Sequence, residues 1–219
     1  MASRRSSPPS TSGPAPRDGR GLARDAAPAL TLPRAFYLRP AVAVARDLLG
    51  CVLVTRARGT VTAGRIVETE AYLGPDDAAS HAAFRPGSHR LFYGEGGFAY
   101  VYVIYGLHAC FNAIAERAGR PGCVLIRAVE PLEGVRAMAR RRGLTPEAPR
   151  LASGPGNVTA AFGITVADNG VDLTRGRLTI TPPDVPRAFR VERGPRIGIT
   201  RAITLPLRFW IANHPARSR

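Results

Sequence analysis

Residues 60–72, TVTAGRIVETEAY, follow an alternation that leaves few structures open to them. In an extended chain Val67, Thr69 and Ala71 fall on one side and Glu68, Glu70 and Tyr72 on the other, so the period of two predicts a strand. The charged side is the unusual one. A carboxylate moved out of water costs several kcal/mol unless something compensates. Two acidic residues in succession therefore mark either the wet face of an antiparallel sheet or a site built to hold them. The strand then releases the chain into LGPDDAASH, where Pro and Asp favour a turn.

The rest of the chain sets this strand in a sheet. AVAVARDLLG (41–50) has helical spacing and a stop at Gly50, and Cys51–Thr55 with Thr60–Tyr72 reads as a hairpin turning near Arg58-Gly59. Gly74–Gly97 is broken by Pro75, Pro86, Gly87, Gly94 and Gly96 and predicts a long loop, which in a compact domain is usually functional. Tyr100–Tyr105 and His108–Ile114 flank Gly106-Leu107, the length of a tight hairpin turn. Tyr100, Tyr102 and Ile104 share one face of this hairpin, as do His108, Cys110 and Asn112 across the turn. Gly122–Val129 predicts a strand carrying Arg127, Leu132–Arg142 a helix ending at Gly143, and 153–164 a helix capped by Ser153. Short strands are expected at Leu178–Thr181, Arg190–Glu192, Arg196–Ile199 and Phe209–Ile211. The expected architecture is α+β: a single domain over 31–219 with a curved, mainly antiparallel β-sheet, flanking helices and a protruding β-hairpin. Residues 1–30, rich in Arg, Pro and Ser and poor in large apolar groups, read as a disordered tail.

Charge narrows the partners. The chain of 219 residues carries a net charge of +15, and every one of its 31 basic residues is Arg. Guanidinium groups bind phosphate oxygens in pairs and stack on planar groups, so nucleic acid is the leading partner. The absence of lysine also closes the usual imine route on an aldehydic sugar, except through the N-terminal amine. Cys51, Cys110 and Cys123 lack C-x-x-C spacing and His81, His89, His108 and His214 form no H-x-x-x-H pair, so neither a zinc site nor a disulfide framework is indicated. The N-terminus lacks an apolar signal region, which makes a cytoplasmic location the expectation. Phe98–Ala115 is the longest apolar stretch, but with Tyr100, Tyr102, Tyr105, Gly106, His108 and Asn112 in it a buried hairpin explains it better than a membrane span.

Five ordered blocks then carry a resemblance: RIVETEAYLGPDDAASH, YVYVIYGLHACFN, CVLIRAVEPLEG, LASGPGN, and RIGITRA with LPLRFW. From about Leu38 to Ile211 the chain resembles a bacterial member of the alkyladenine (3-methyladenine) DNA glycosylase family. The resemblance implies a monofunctional hydrolase, without lyase activity, that flips alkylated or deaminated purines from double-stranded DNA and hydrolyses the N-glycosidic bond in base excision repair. It further implies a monomer that works on nucleoid DNA with no metal or organic cofactor. Carried over residue by residue, it puts the general base on Glu70 and places Arg127 near the catalytic water and the sugar-phosphate. Tyr72, His81 and Tyr102 correspond to the base-binding pocket, and Asn112 to the group that clashes with the exocyclic amine of normal guanine. Tyr105 matches the side chain that fills the gap left by the flipped nucleotide, with Leu107 beside it at the hairpin tip. One position departs from the pattern: the family usually has a lysine where this chain has Asn157.

Chemistry gives these groups a purpose. Nucleoside hydrolysis builds positive charge on the sugar while water approaches from the opposite side, and one carboxylate can orient that water and stabilise the ion. Extruding a nucleotide costs a few kcal/mol in lost stacking and pairing, which a ring-lined pocket returns. A cationic methylated purine between Tyr72 and Tyr102 gains roughly 2 kcal/mol of cation–π attraction when desolvated. Both tyrosines equally fit plain core aromatics, and Arg127, in an apolar strand, must meet Glu68, Glu130 or a phosphate. A non-catalytic damaged-DNA-binding module on the same scaffold is the alternative function. A sugar hydrolase using Glu68 and Glu70 as an acid/base pair is disfavoured, because neighbours at i and i+2 point in parallel rather than flanking a bond.

Overall fold

Helical and strand periodicities alternate along this chain because each segment has one face to bury. The structure, a computed structural model, describes residues 30–57, 59–85, 89–104, 106–183, 186 and 188–218, without the side chain of His89. The expected tail lies outside these residues except for Leu30, and so does Tyr105. Helices α1 (Arg34–Tyr37) and α2 (Ala41–Asp47) precede the hairpin of β1 (Val52–Ala57) and β2 (Thr60–Tyr72). Next come α3 (His81–Phe84), α4 (His89–Phe92), β3 (Ala99–Ile104), β4 (His108–Ile114), β5 (Cys123–Glu133), α5 (Val135–Arg142), α6 (Pro155–Phe162), β6 (Leu178–Thr181), β7 (Val191–Gly194) and β8 (Arg208–Ile211).

Four expectations need correction. The stretch 74–97 is not all loop: it winds into α3 and α4, and Ser80 caps α3 by accepting the Ala82 N–H. β5 continues to Glu133, past the expected helix start at Leu132, and α5 begins only after Gly134 takes the left-handed conformation at φ 70°. Ser153 does not cap α6; Gly154 stands at that position and Pro155 opens the helix, its fixed φ suiting the first turn. Residues 196–199 form no strand, because Arg196 is held by a buried carboxylate instead of a ladder.

All the strand pairs are antiparallel, and the sheet runs β3-β4-β5-β2-β1-β6, with β8 joining β2 and β7 joining β8. β2 is its axis. One edge of β2 pairs with β5, whereas the other edge is shared, residues 60–65 facing β1 and residues 68–70 facing β8. The register between β2 and β5 slips on both sides of Glu68, irregularities of the kind that bend a sheet and help it curl.

The two sheet faces have different fates. Val67, Ala71, Phe111, Ala113, Val124, Ile126 and Ala128 pack against Val44 and Ala45 of α2 and Val158, Ala161 and Phe162 of α6 in one continuous core. Thr69, between Val67 and Ala71, donates its hydroxyl to the Ala45 carbonyl. The opposite face carries Glu68, Glu70, Tyr72, Tyr100, Tyr102, Asn112, Leu125 and Arg127. The wet-face reading of the two glutamates is therefore wrong: both are wholly buried, in the part of β2 flanked by strands on either side. Beyond the body of the sheet, β3 and β4 project to a tip where Gly106 turns at φ 68° and Leu107 is 81% exposed. No helix among the described residues is long and apolar enough to cross a membrane.

Close approach at the axis is enforced by Gly64, where a Cβ would sit 2.5 Å from Val129 Cγ1 and 2.6 Å from the Glu130 carbonyl oxygen. Backbone at that distance cannot simply rotate away. Gly64→Ala is expected to cost about 1–3 kcal/mol through overpacking, read as a lower urea midpoint; an unchanged midpoint would mean that β5 shifts freely.

Candidate active site

β2 delivers Glu70 into a pocket of polar donors rather than into solvent. Its backbone lies between Leu125 of β5 and Arg208 of β8, so the side chain points from the centre of the sheet. One carboxylate oxygen accepts the Ile197 N–H at 2.8 Å and lies 3.2 Å from Arg127 Nη1; the other accepts the Tyr72 hydroxyl at 2.9 Å. Burial raises the pKa of Glu70, and the Arg127 charge, the Ile197 N–H and the Tyr72 hydroxyl oppose it without cancelling it. A carboxyl group held above its usual range is a better proton acceptor than one in water.

Arg127 ties this group to its neighbour. Its Nε lies 3.3 Å from Glu68 Oε1, so the one guanidinium serves both carboxylates, and Arg208 Nη1 approaches Glu68 at 3.5 Å. Of the partners left open for Arg127, Glu68 is found and Glu130 is not; Glu130 pairs with Arg65 and lies 3.6 Å from His214. Because Glu68 and Glu70 converge on a single cation, they are not two catalytic groups flanking a bond.

In front of this ion network opens a cavity of about 570 Å³, within the range of small-molecule sites. Its walls include Tyr72, His81, Tyr100, Tyr102, Asn112 and Arg127, and residues 197–201 close one side. Glu70 is not itself a wall residue. Three groups that touch its carboxylate, Tyr72, Arg127 and Ile197, are, so the acid sits one layer behind the surface. Asn112 is fixed at both ends of its amide, Nδ2 donating to the Tyr100 carbonyl at 3.2 Å and Oδ1 facing Cys123 Sγ at 3.7 Å. Tyr102 packs 4.4 Å from the His81 ring and 5.2 Å from Tyr100. Burial pushes the Cys110 thiol in the same wall up to about 11, which keeps it protonated and a poor nucleophile.

Two residues that the sequence reading missed organise the loop wall. Asp77 caps the turn after β2 by accepting the N–H groups of Leu73 and Ala79, and it takes a paired contact of 2.6 and 2.7 Å from Arg196. Burial alone would raise the Asp77 pKa, but the Arg196 hydrogen bonds and the backbone donors hold it below the usual value. Arg196 also donates to the Ala71 carbonyl and lays its guanidinium 4.6 Å from the Tyr72 ring centroid. The Asp in a Pro-Asp-Asp turn was a visible signal; its partner, some 120 residues on, was not. Tyr100 was placed by alternation on the correct face, but its hydroxyl contact to His81 could not be read from spacing.

The remaining expected site residues divide. Leu107 stands exposed at the hairpin tip, away from the cavity walls, and Tyr105 lies outside the described residues. Asn157 turns back on its own helix start, Nδ2 donating to the Ser153 carbonyl at 2.6 Å, while Pro155, which opens the same helix, reaches the cavity. The described residues contain no cluster of three or more His, Cys, Asp or Glu suited to a metal ion.

Comparison with known proteins adds a name to this geometry. A family model described as "Methylpurine-DNA glycosylase (MPG)" matches residues 35–215. A protein of Methanoculleus marisnigri is 48% identical over 185 residues, covering 83% of this chain and 95% of its own length. A protein of Koribacter versatilis is 46% identical over 188 residues, covering 84% and 91%, and one of Myxococcus xanthus is 44% identical over 185 residues, covering 82% and 89%. Each of the three is called "Putative 3-methyladenine DNA glycosylase".

His81 supplies a test of the pocket's dryness. Its Nδ1 and the Tyr100 hydroxyl are 2.7 Å apart, and burial, reinforced by the Arg85 charge, lowers its pKa to about 4. The ring is neutral at pH 7, with one nitrogen a donor and the other an acceptor. Between its unfolded value of 6.5 and its folded value of about 4 the unfolded chain binds the extra proton, so acidification through that window destabilises the fold. His81→Gln should lose less stability than the wild type over that range in urea unfolding; equal losses would show that the ring titrates as it does in solution.

Proposed function

The chain belongs to the methylpurine-DNA glycosylase family, and from that premise we propose that it hydrolyses the N-glycosidic bond of alkylated or deaminated purines extruded from double-stranded DNA. The observation that carries the reading is the position of Glu70: a wholly buried carboxylate of raised pKa, directly behind a ring-lined cavity with room for a base. Membership of the family brings the reaction class, an N-glycosyl hydrolase acting on DNA.

In this reading the damaged base enters between Tyr72, Tyr102 and His81. A positively charged methylpurine is drawn to the tyrosine faces. One face of Tyr72 already lies under Arg196, which leaves the other for the base. Neutral His81, its Nδ1 engaged by the Tyr100 hydroxyl, has Nε2 left for one hydrogen bond to a base edge, and Asn112, locked at both ends, cannot rotate away from the 2-amino group of guanine. A water reaching the wall where Tyr72, Ile197 and Arg127 meet passes its proton to Glu70 as it attacks the anomeric carbon from the side opposite the departing base. The two electrons of the C–N bond leave with the purine, and the negative charge of Glu70 offsets the positive charge gathering on the sugar. A base cationic before cleavage leaves neutral, whereas a neutral deaminated base leaves as an anion and takes up a proton from water.

The hairpin tip, with Leu107 exposed and Tyr105 beside it in sequence, fits a wedge that occupies the space of the extruded nucleotide. The family lysine is missing at Asn157, and Arg201, at the rim of the cavity, is the guanidinium placed to supply a phosphate contact in its stead. A binding module without turnover would use the same rings and arginines, but it has no need of a buried acid wired to Arg127.

Glu70→Gln keeps the shape and removes the base. Single-turnover release of 3-methyladenine from alkylated duplex should fall by about 10²–10⁴-fold with binding of lesion-bearing DNA nearly unchanged; full activity would refute the assignment. Because the raised pKa of Glu70 must be passed before the carboxylate is free, the wild-type rate should decline on acidification above the ordinary value of 4.5. Kinetics over a pH series check this, with a limb at or below that value counting against it. For duplex affinity, log K should fall with log salt at a slope of about 0.9 per phosphate neutralised. A salt-independent constant would contradict an arginine-based interface.

A further inference from the structure

Glu68 has no step in the reaction above, yet it is buried as completely as Glu70, and it receives a contact from far along the chain. The Ser218 backbone N–H donates to Glu68 Oε2 at 2.6 Å. The Ser218 hydroxyl oxygen accepts from Arg127 Nε at 3.4 Å and from Arg127 Nη2 at 3.3 Å. All three nitrogens of that guanidinium are thereby committed: Nη1 to Glu70, Nε to Glu68 and Ser218, Nη2 to Ser218. Among the described residues, Ser218 is the acceptor found for Nη2.

Ser218 does not reach this position by chance contact. The strap after β8, residues 212–218, is fastened along its length. Ala212 donates its N–H to the Arg190 carbonyl, His214 lies 3.6 Å from Glu130, Arg217 sits 5.3 Å from the Trp210 ring centroid, and Ala216 packs against the main core. The serine that ends it is only 4% exposed and lies beyond residue 215, where the family match stops. A hydroxyl is cheap to leave in water, so burying one at an ion network needs hydrogen bonds in return.

We propose that Ser218 is a positioning residue for the glycosylase reaction: with Glu68 it fixes the Arg127 guanidinium in the plane that presents Nη1 to the Glu70 carboxylate. The claim rests on the function proposed above. A buried guanidinium with one edge unpaired would turn toward water in the cavity it lines, and Glu70 would lose its nearest cation. Ser218 touches neither cavity nor base; it acts through Arg127.

The test compares full-length wild type, Ser218→Ala and Ser218→Thr. In Ser218→Ala the backbone donor to Glu68 stays and the hydroxyl acceptor goes. The single-turnover rate of base release is expected to fall about tenfold, the value of one hydrogen bond to a charged group, with the Kd for lesion-bearing duplex unchanged. Ser218→Thr, which keeps the hydroxyl, should restore the rate. A second readout does not depend on activity: hydrogen exchange of the Arg127 Nη2 hydrogens, identified by their loss in Arg127→Lys, should be slow in the wild type and fast in Ser218→Ala, where Nε keeps Glu68 but Nη2 loses its acceptor. An unchanged rate in Ser218→Ala, or equal loss in the Thr variant, overturns the proposal and leaves the glycosylase reading standing. Should wild-type protein release no base while the exchange difference holds, the glycosylase reading falls and the Ser218–Arg127 coupling survives it. With neither activity nor an exchange difference, both fail.

Discussion

One guanidinium, Arg127, makes the interior of this sheet possible. Two carboxylates within a layer of packed strands would each forfeit several kcal/mol of hydration, and nothing apolar around them could return it. Arg127 meets both, and the remaining lone pairs go to groups that other parts of the chain bring in: the Ile197 N–H, the Tyr72 hydroxyl, the Ser218 N–H and Arg208. The strands on either side of β2 are therefore more than scaffolding. β5 supplies Arg127 and β8 supplies Arg208, and the slipped register around Glu68 lies between them.

The cavity depends on the same economy of buried charge. Its loop wall is held by Asp77 and Arg196, a second enclosed pair that joins the turn after β2 to the segment carrying Ile197. Arg196 braces Tyr72 and brings the Ile197 N–H to Glu70, so wall, floor and acid are coupled through two distant parts of the chain, 70–72 and 196–197. On the hairpin side, pairing of Tyr100 with Asn112 and Tyr102 with Cys110 sets four cavity residues in two rows.

These networks qualify the meaning of the charge. A net +15 made wholly of arginine suggests a surface coated for phosphate. Part of that arginine is inside. Arg127, Arg196 and Arg208 serve buried acids, and Arg141 and Arg177 donate to carbonyls at the end of α6. Arginine suits both duties, because the planar fork matches a carboxylate as well as a phosphate. The arginines left at the surface are fewer than composition alone implies, and Arg201, exposed beside the cavity it helps to line, is one of them.

How much of this was legible before folding follows from the range of the forces involved. Alternation over 66–72 and 100–112 put Glu70, Tyr72, Tyr102 and Asn112 on the faces where they are found, because side-chain direction in a strand is a local property of the backbone. The ordered blocks also pointed to the family that the comparisons show. Helix ends were read less well: Ser153 looked like a cap, but Gly154 and Pro155 start α6 by backbone geometry alone. Burial of the two glutamates was left open by the sequence. Whether Glu68 and Glu70 faced water depended on β8 and the strap behind it, some 140 residues away, closing over them. The sequence by itself determined which side chains share a strand face, since that depends only on the bond geometry of neighbours; only the tertiary structure decided which polar groups meet, since Asp77 with Arg196 and Glu68 with the Ser218 N–H are joined by chain closure, which no local pattern encodes.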